Sequence, residues 1–142
     1  MSLGEILGLH HVKVPVSDLA RSRSWYERVF ELQPNVEFAD EDGVVRGVAY
    51  RARGGFALSL REDPARAHAM AGYDPFAILV ESREDLDSWV QRLDALGIDH
   101  WPVTMGALGW LIGFHDPDGL QLKLYTHEVH GLERKNRRRV AG

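Results

Sequence analysis

The sequence predicts an α+β fold made of two copies of one strand–helix–strands unit. The main observation is an internal repeat, because the chain matches itself without a gap at an offset of 64 residues. Such periodicity indicates a repeated architecture, with copies over residues 9–61 and 74–126 and a short Ala-rich connector from Pro64 to Tyr73. The matched pairs are Val16 and Val80, Ser24 and Ser88, Trp25 and Trp89, Arg28 and Arg92, Leu32 and Leu96, Gly55 and Gly119, Leu58 and Leu122, and Leu60 and Leu124.

The first copy opens with a strand and a helix. Apolar and polar residues alternate from residue 11 to 16, which is typical of a strand with one buried face. Ser17 and Asp18 are typical of a helix start, and apolar residues then recur at helical spacing. Two further strands are predicted at residues 44–50 and 56–60.

The second copy repeats this order. A strand is predicted at residues 76–80, and Ser82 with Asp85 has the pattern of a capping box. The apolar helical stripe that follows ends at Gly97. The remaining predicted elements are strands at 110–114 and 120–125 and the Asp-Pro-Asp-Gly turn at 116–119.

Trp25 and Trp89 occupy matching helical positions in the two copies. They could form a ligand-stacking pair, or each could anchor its helix to the sheet. Aromatic residues at helical spacing usually belong to the core. We therefore expect the second role.

Composition narrows the classes of function. The 142 residues predict one soluble domain, and a net charge of −4 gives no reason to expect nucleic acid as a partner. No apolar run approaches the roughly 20 residues that span a bilayer, so no membrane is expected. The absence of cysteine excludes disulfides and thiolate catalysis. Because the N-terminus lacks the organisation of a signal peptide, a cytoplasmic location is expected.

The C-terminal segment, residues 127–142, is predicted to be a basic tail. Its basic cluster at 134–139 is either a patch for an anionic partner or a solvated terminus or subunit contact, and we expect the latter. A possible metal cluster precedes it, although solvated surface is the expected state of such a group. Its members are His127, Glu128, His130 and Glu133.

Two segments of the chain resemble the vicinal oxygen chelate superfamily, the group of glyoxalase I, bleomycin-resistance proteins, fosfomycin-resistance enzymes and extradiol dioxygenases. The first segment comprises residues 11–19 and 24–30, and the second is residues 113–124, which contains the Asp-Pro-Asp-Gly turn. The resemblance covers about residues 9–126. It implies paired βαβββ modules that form a curved, cup-shaped mixed sheet.

The resemblance also implies a divalent metal in the cup, bound by side chains from the first and last strand of each module. With the repeat, these positions are His11, Ser59, Pro75 and Lys123. Such a site needs three or four His, Glu or Gln ligands, and His11 alone qualifies. The ammonium of Lys123 would repel a divalent cation. No cofactor is therefore expected, with a divalent metal as the alternative.

His11 and Lys123 are the predicted catalytic residues. Lys123 would neutralise an anionic molecule or act as a nucleophile, and His11 would exchange a proton near neutral pH. Glu62 or Asp63 is the acidic partner within reach of Lys123. In the alternative, Lys123 extends to the rim of the cup and His11 is a hydrogen-bonded core residue. The predicted ligand-binding residues are Lys13, Ser59, Gln121, Tyr125 and Trp110.

Three classes of function remain open. The favoured one is binding of a small organic molecule in the cup without the usual metal triad, in a lyase or isomerase rebuilt around His11 and Lys123. The alternatives are a metal-dependent glyoxalase- or dioxygenase-like enzyme and a non-catalytic antibiotic-sequestering resistance protein. A homodimer is expected, because both modules expose open sheet edges that need cover.

Overall fold

The computed structural model describes residues 2–51, 54–55, 57–132 and 140, and the chain divides into two compact units, Met1–Ala71 and Gly72–Gly142. The repeated modules fall one in each unit, and their union in a single domain stays a prediction. The first unit contains β1 (His11–Val16), α1 (Leu19–Phe30), β2 (Pro34–Ala39), β3 (Val45–Arg51), β4 (Ala57–Glu62) and α2 (Pro64–Ala69). The second contains β5 (Ala77–Val80), α3 (Arg83–Ala95), β6 (Thr104–Met105), β7 (Gly109–His115) and β8 (Gln121–Val129).

Each unit has one four-stranded mixed sheet of the same topology. The strand order is β1-β4-β3-β2 in the first unit and β5-β8-β7-β6 in the second. The first and last strands of each unit pair in parallel, and the other neighbours pair antiparallel. This topology confirms the predicted α+β fold of paired βαβββ modules.

In the first unit α1 covers one face of the sheet. The helix begins where the Asp18 carboxylate accepts a hydrogen bond of 3.0 Å from the backbone N–H of Arg21. It ends at Glu31, whose backbone is left-handed with a φ of 53°. The buried apolar side chains of this unit include Val14, Val16, Leu19, Tyr26, Val29, Val48, Tyr50, Leu58 and Leu60.

In the second unit α3 has the same role. Ser82 and Asp85 form the predicted capping box, which satisfies backbone donors at the start of the helix. The core of this unit is lined by Leu86, Leu93, Ile112, Phe114, Leu120, Leu122 and Leu124.

The paired tryptophans lie at the margin of these cores. Both Trp25 and Trp89 are half-buried, whereas neighbouring helix residues such as Val29 and Leu93 are fully buried. Trp25 contacts Tyr26 and Phe30 edge to face, with ring centroids 4.9 and 6.4 Å apart. Trp25 therefore packs with aromatic neighbours of its own helix.

Three elements were not predicted. The edge strand β2 is exposed along its whole length, so its residues carry no alternation between a buried and a solvated face. The two-residue strand β6 is too short to leave a pattern. The predicted connector contains α2, which Asp63 caps by accepting from the backbone N–H of Arg66, with Pro64 in the first turn.

Two further expectations concerned the basic C-terminal cluster and the absence of a membrane span. The basic cluster at residues 134–139 lies outside the described residues. Within the described ranges, none of the helices is long and apolar enough to cross a membrane.

A tryptophan is fixed over the sheet of the second unit before β6. His100 forms a bridge with Phe114, and the backbone N–H of Trp101 donates to the carbonyl of Gly113 at 2.8 Å. A Cβ added at Gly113 would lie 2.5 Å from a ring carbon of Trp101. The glycine is therefore required by close packing of the indole on the strand.

The ring of His100 is half-buried between two acceptors. One ring nitrogen lies 2.7 Å from the Trp101 carbonyl oxygen and the other 2.7 Å from the Asp94 carboxylate. The hydrogen bond to the Trp101 carbonyl and then the bond to Asp94 raise the pKa of His100 above its ordinary value.

A raised folded-state pKa makes His100 stabilise the protein at low pH. The contribution is complete below the unfolded-state value of about 6.5 and is lost as pH rises through the higher folded-state pKa. We expect the melting temperature of the parent, relative to that of His100→Gln, to decline from about pH 6.5 upward. Thermal unfolding measured at several pH values tests this, with His68→Gln as an exposed control. A constant difference between parent and variant would contradict the assignment.

The packing of Trp101 on Gly113 gives a second prediction. Gly113→Ala should lower the free energy of unfolding by about 1–3 kcal/mol, the usual cost of overpacking. Chemical denaturation measures this value, and Gly4→Ala is the control because a Cβ there meets nothing within 4 Å. In a Trp101→Ala background the same substitution should cost clearly less. An equal cost in both backgrounds would show that the indole is not responsible.

Candidate functional site

Each sheet has one face that is covered by its long helix and an opposite face, which we call the open face. Side chains alternate along a strand, so one strand contributes to both faces. On β4, Leu58 and Leu60 are buried on the helix side and Ser59 lies on the open face. On β8 the buried residues are Leu122 and Leu124, and the open-face residues are Gln121, Lys123 and Tyr125.

Lys123 forms an ion pair with Asp74 on the open face of the second unit. Its Nζ lies 2.6 Å from Oδ2 of Asp74, and 25% of the lysine side chain is exposed. The hydrogen bond from Lys123 lowers the pKa of Asp74 below its ordinary value. The lysine charge is therefore neutralised locally, while the ammonium remains accessible from solvent.

Backbone pairing brings Asp74 to this position. The N–H of Gly72 donates to the carbonyl of Gly119 at 2.8 Å, and the N–H of Gln121 donates to the carbonyl of Tyr73 at 2.9 Å. The segment before β5 is thus fastened to the turn that precedes β8, so Asp74 reaches Lys123.

The two acidic residues that the sequence suggested as partners of Lys123 form hydrogen bonds with other groups instead. Glu62 accepts from the backbone N–H of Leu19 at 3.0 Å and from the guanidinium of Arg46. Asp63 accepts a hydrogen bond of 2.6 Å from the guanidinium of Arg66. Asp74 was missed because its proximity to Lys123 depends on the long-range pairing of residues 72–73.

Trp101 is a second open-face residue that the sequence did not indicate. Lys123 Nζ lies 5.6 Å from the centroid of the indole, within the range of a cation–π interaction. Gly113, opposite Lys123 in the ladder, provides the space for the ring. A glycine inside a strand was the available signal, because it indicates close approach of another group.

Tyr125 and Gln121 flank Lys123 on the same face. The Tyr125 hydroxyl accepts from the backbone N–H groups of Leu108 at 2.8 Å and Gly109 at 3.3 Å. Tyr125 therefore holds the loop before β7 against the sheet. Gln121 is half-buried and pairs with His115 in the ladder.

Trp110 lies on the other face of the same sheet. The guanidinium of Arg83, the first residue of α3, lies 4.4 Å from its ring centroid. The His130 ring contacts it edge to face at 5.7 Å. The structure therefore does not bring Trp110 together with Lys123.

The predicted residues of the first unit lie at the open face of its own sheet. His11 is exposed, and its Nδ1 lies 3.0 Å from Nδ1 of His10, so it is not a buried core residue. Lys13 is exposed and pairs in the ladder with the half-buried Ser59. His11 belongs to the first unit and Lys123 to the second.

The two C-terminal histidines do not converge. His127 lies on β8, and its Nδ1 is 3.3 Å from the Glu81 carboxylate. His130 follows the strand, and its Nε2 donates to the carbonyl of Gly106 at 2.9 Å. Glu133, the fourth member of the suggested cluster, lies outside the described residues.

The donor set at the expected metal positions is unusual. Of the four positions, Pro75 has no side-chain donor and the Lys123 ammonium is paired with Asp74. Over the described part of the chain, no group of three or more His, Asp or Glu side chains is arranged to hold a metal ion. The described side chains at these positions therefore do not fit a conventional divalent-metal centre.

Comparison with curated proteins finds two relatives that share a name. This chain is 32% identical over 133 residues to metallothiol transferase FosB of Bacillus licheniformis, with 91% of this chain and 81% of that protein covered. It is 31% identical over 124 residues to metallothiol transferase FosB of Shouchella clausii, with 84% and 80% covered.

Solved structures share the fold. A glyoxylase/bleomycin resistance protein/dioxygenase domain from Frankia sp. EAN1pec matches with a TM-score of 0.69 and 26% identity, over 87% of this chain and 100% of that one. A variant of the fosfomycin resistance protein FosX from Listeria monocytogenes, complexed with Mn(II) and 1S,2S-dihydroxypropylphosphonic acid, matches with a TM-score of 0.68 and 21% identity, over 87% and 93%.

These relatives correct the expectation that no cofactor is involved. The two curated relatives are metallothiol transferases by name, and the FosX structure contains Mn(II). The expectation was wrong because it considered possible metal ligands at only four strand positions. The names of both curated relatives indicate a metal-dependent activity in proteins similar to this chain.

The family assignment rests on most of the chain. Residues 8–124 match the family model described as Glyoxalase/Bleomycin resistance protein/Dioxygenase superfamily. This match confirms the resemblance found at the two ends of the repeat. The chain belongs to the glyoxalase/bleomycin resistance protein/dioxygenase superfamily.

Proposed function

We propose that this protein binds a small anionic organic molecule, such as a phosphonate, and acts on it as a resistance-type transferase. The observation that carries the proposal is the ammonium of Lys123, which is held on an open sheet face between the Asp74 carboxylate and the Trp101 ring. A fixed, partly exposed cation beside an aromatic surface suits a ligand with one anionic and one apolar end.

Lys123 can donate a hydrogen bond to a ligand while it remains paired with Asp74. An ammonium has three donors, and the contact with Asp74 uses one of them. A phosphonate or carboxylate oxygen would accept from another donor, and the face of Trp101 would cover the carbon skeleton of the ligand. Partial burial strengthens such a charge-assisted hydrogen bond.

The comparisons support a resistance-type protein better than the lyase or isomerase favoured from the sequence. Two relatives above 30% identity are named as transferases. The non-catalytic sequestering protein remains the second candidate, because Lys123 and Trp101 could retain a ligand without reacting with it.

Apart from Trp110, the other predicted residues keep their proposed roles. His11, exposed on β1, is the proposed acid or base, because histidine is the side chain suited to proton exchange near neutral pH. A homodimer and a cytoplasmic location also stay predictions. The proposed ligand-binding residues are Lys13, Ser59, Gln121 and Tyr125, whereas Trp110 faces α3 and is no longer proposed.

Fosfomycin is the first probe of this function. We expect Lys123→Gln to weaken its binding by about tenfold or more, because a charge-assisted hydrogen bond is lost. Isothermal titration measures the affinity, and Arg92→Gln on α3 is the matched control for the loss of one positive charge. Unchanged affinity in Lys123→Gln would contradict the proposed role of this lysine.

The same protein can be tested for catalysis. Incubation with fosfomycin, Mn²⁺ and a low-molecular-weight thiol, followed by mass spectrometry, would give an adduct of fosfomycin and the thiol if the protein is a transferase. Recovery of unchanged fosfomycin from a protein that binds it would favour sequestration instead.

The ion pair gives a prediction about metal affinity. Lys123→Glu removes the ammonium and places a second carboxylate beside Asp74, and hard divalent cations prefer such oxygen ligands. We expect this variant to bind Mn²⁺ more tightly than the parent, and Mn²⁺ to raise its melting temperature more. Lys13→Glu has the same charge change in the other unit and is the control. Equal Mn²⁺ responses of parent and Lys123→Glu would contradict the prediction.

A further inference from the structure

A pocket of about 580 Å³ lies in the first unit, at the open face beside α2. Its volume falls within the range of small-molecule sites, about 300–1,000 Å³. The pocket is bounded by residues of β1, the end of β4 and the segment that contains α2. Its lining residues are Lys13, Pro15, Arg61, Asp63, Arg66 and Met70.

The lining carries more positive than negative charge. Asp63 is the only carboxylate among the six lining residues, all of which the structure describes. It accepts hydrogen bonds from both the backbone N–H and the guanidinium of Arg66, at 3.1 and 2.6 Å, and the guanidinium bond lowers its pKa. The nearby charge of Arg61 also lowers the pKa of Asp63, to a smaller extent, and with three cations and one carboxylate the lining stays positive overall.

The ladder places two of these cations on the same face of adjacent strands. Lys13 pairs with Ser59, and Arg61, two residues further along β4, pairs with Pro15. The two residues are diagonal neighbours, and long side chains at such positions can reach each other. An anion bound between the two cations would therefore interact with both.

We propose that this pocket binds the phosphate or phosphonate group of a small organic molecule. The guanidinium of Arg61 offers parallel N–H donors that match two oxygens of such a group, and Lys13 adds a compact charge. Pro15 and Met70 supply apolar surface for the organic part of the ligand. Every residue of the pocket lies in the first unit, and Lys13 is shared with the proposed ligand-binding residues whereas Arg61 is not.

Inorganic phosphate and phenylphosphonate are suitable probes for the full-length protein. We expect both to bind saturably to the parent, with phenylphosphonate tighter because it also covers apolar surface. Lys13→Gln and Arg61→Gln should each weaken binding by about tenfold, and added salt should weaken it as well. Arg61→Lys, which keeps the charge and loses the paired donors, should bind more weakly than the parent and more tightly than Arg61→Gln.

Titration by NMR locates the site and separates it from the face around Lys123. The amide signals of Lys13, Arg61 and Arg66 should shift on addition of phenylphosphonate, and Lys123→Gln should leave these shifts unchanged. Arg28→Gln, on the opposite side of the same unit, is the matched control and should bind like the parent. The proposal is overturned if the parent binds neither probe, or if the Lys13 and Arg61 variants bind both probes as the parent does.

Discussion

The parallel pairing of the first and last strand in each unit decides which side chains can reach a ligand. Once β1 lies beside β4, and β5 beside β8, the alternation along each strand fixes the face of the sheet on which every side chain lies. Leucines on the last strand must face the helix, and the residues between them must face away. Moving one strand by a single residue would bury Lys123 among leucines, at a cost that no partner there could offset.

Most of the fold follows from local patterns that the two copies share. The alternation on β1, the capping box at Ser82 and the helical stripes were each readable, because each arises from contacts close in sequence. The ladders observed in the two units agree with the offset of the repeat: Lys13 pairs with Ser59, and the equivalent Ala77 pairs with Lys123. The exposed strand β2 left no such pattern, because neither of its faces is buried.

The candidate site was less predictable, since its geometry depends on contacts between distant segments. The alternation along β8 places Lys123 on the open face. Its partner Asp74 lies 49 residues away in sequence and arrives there through backbone bonds that no local pattern records. The position of Trp101 was equally hard to predict, because it depends on the space left by Gly113 on β7. Trp110 was predicted to bind a ligand, whereas the structure places it on the helix side of β7, beside Arg83 of α3.

Equivalent positions in the two units hold different residues, but both sheets carry a lysine at the same level of the ladder. At one level of the ladder, each open face carries a single ammonium opposite a small side chain: Lys13 with Ser59 in the first unit, and Lys123 with Ala77 in the second. The lysine stands on the first strand in one copy and on the last strand in the other. A duplicated sheet can therefore keep an ammonium at the same ladder level in both copies after the lysine has changed strands, and comparison of the copies residue by residue would overlook it.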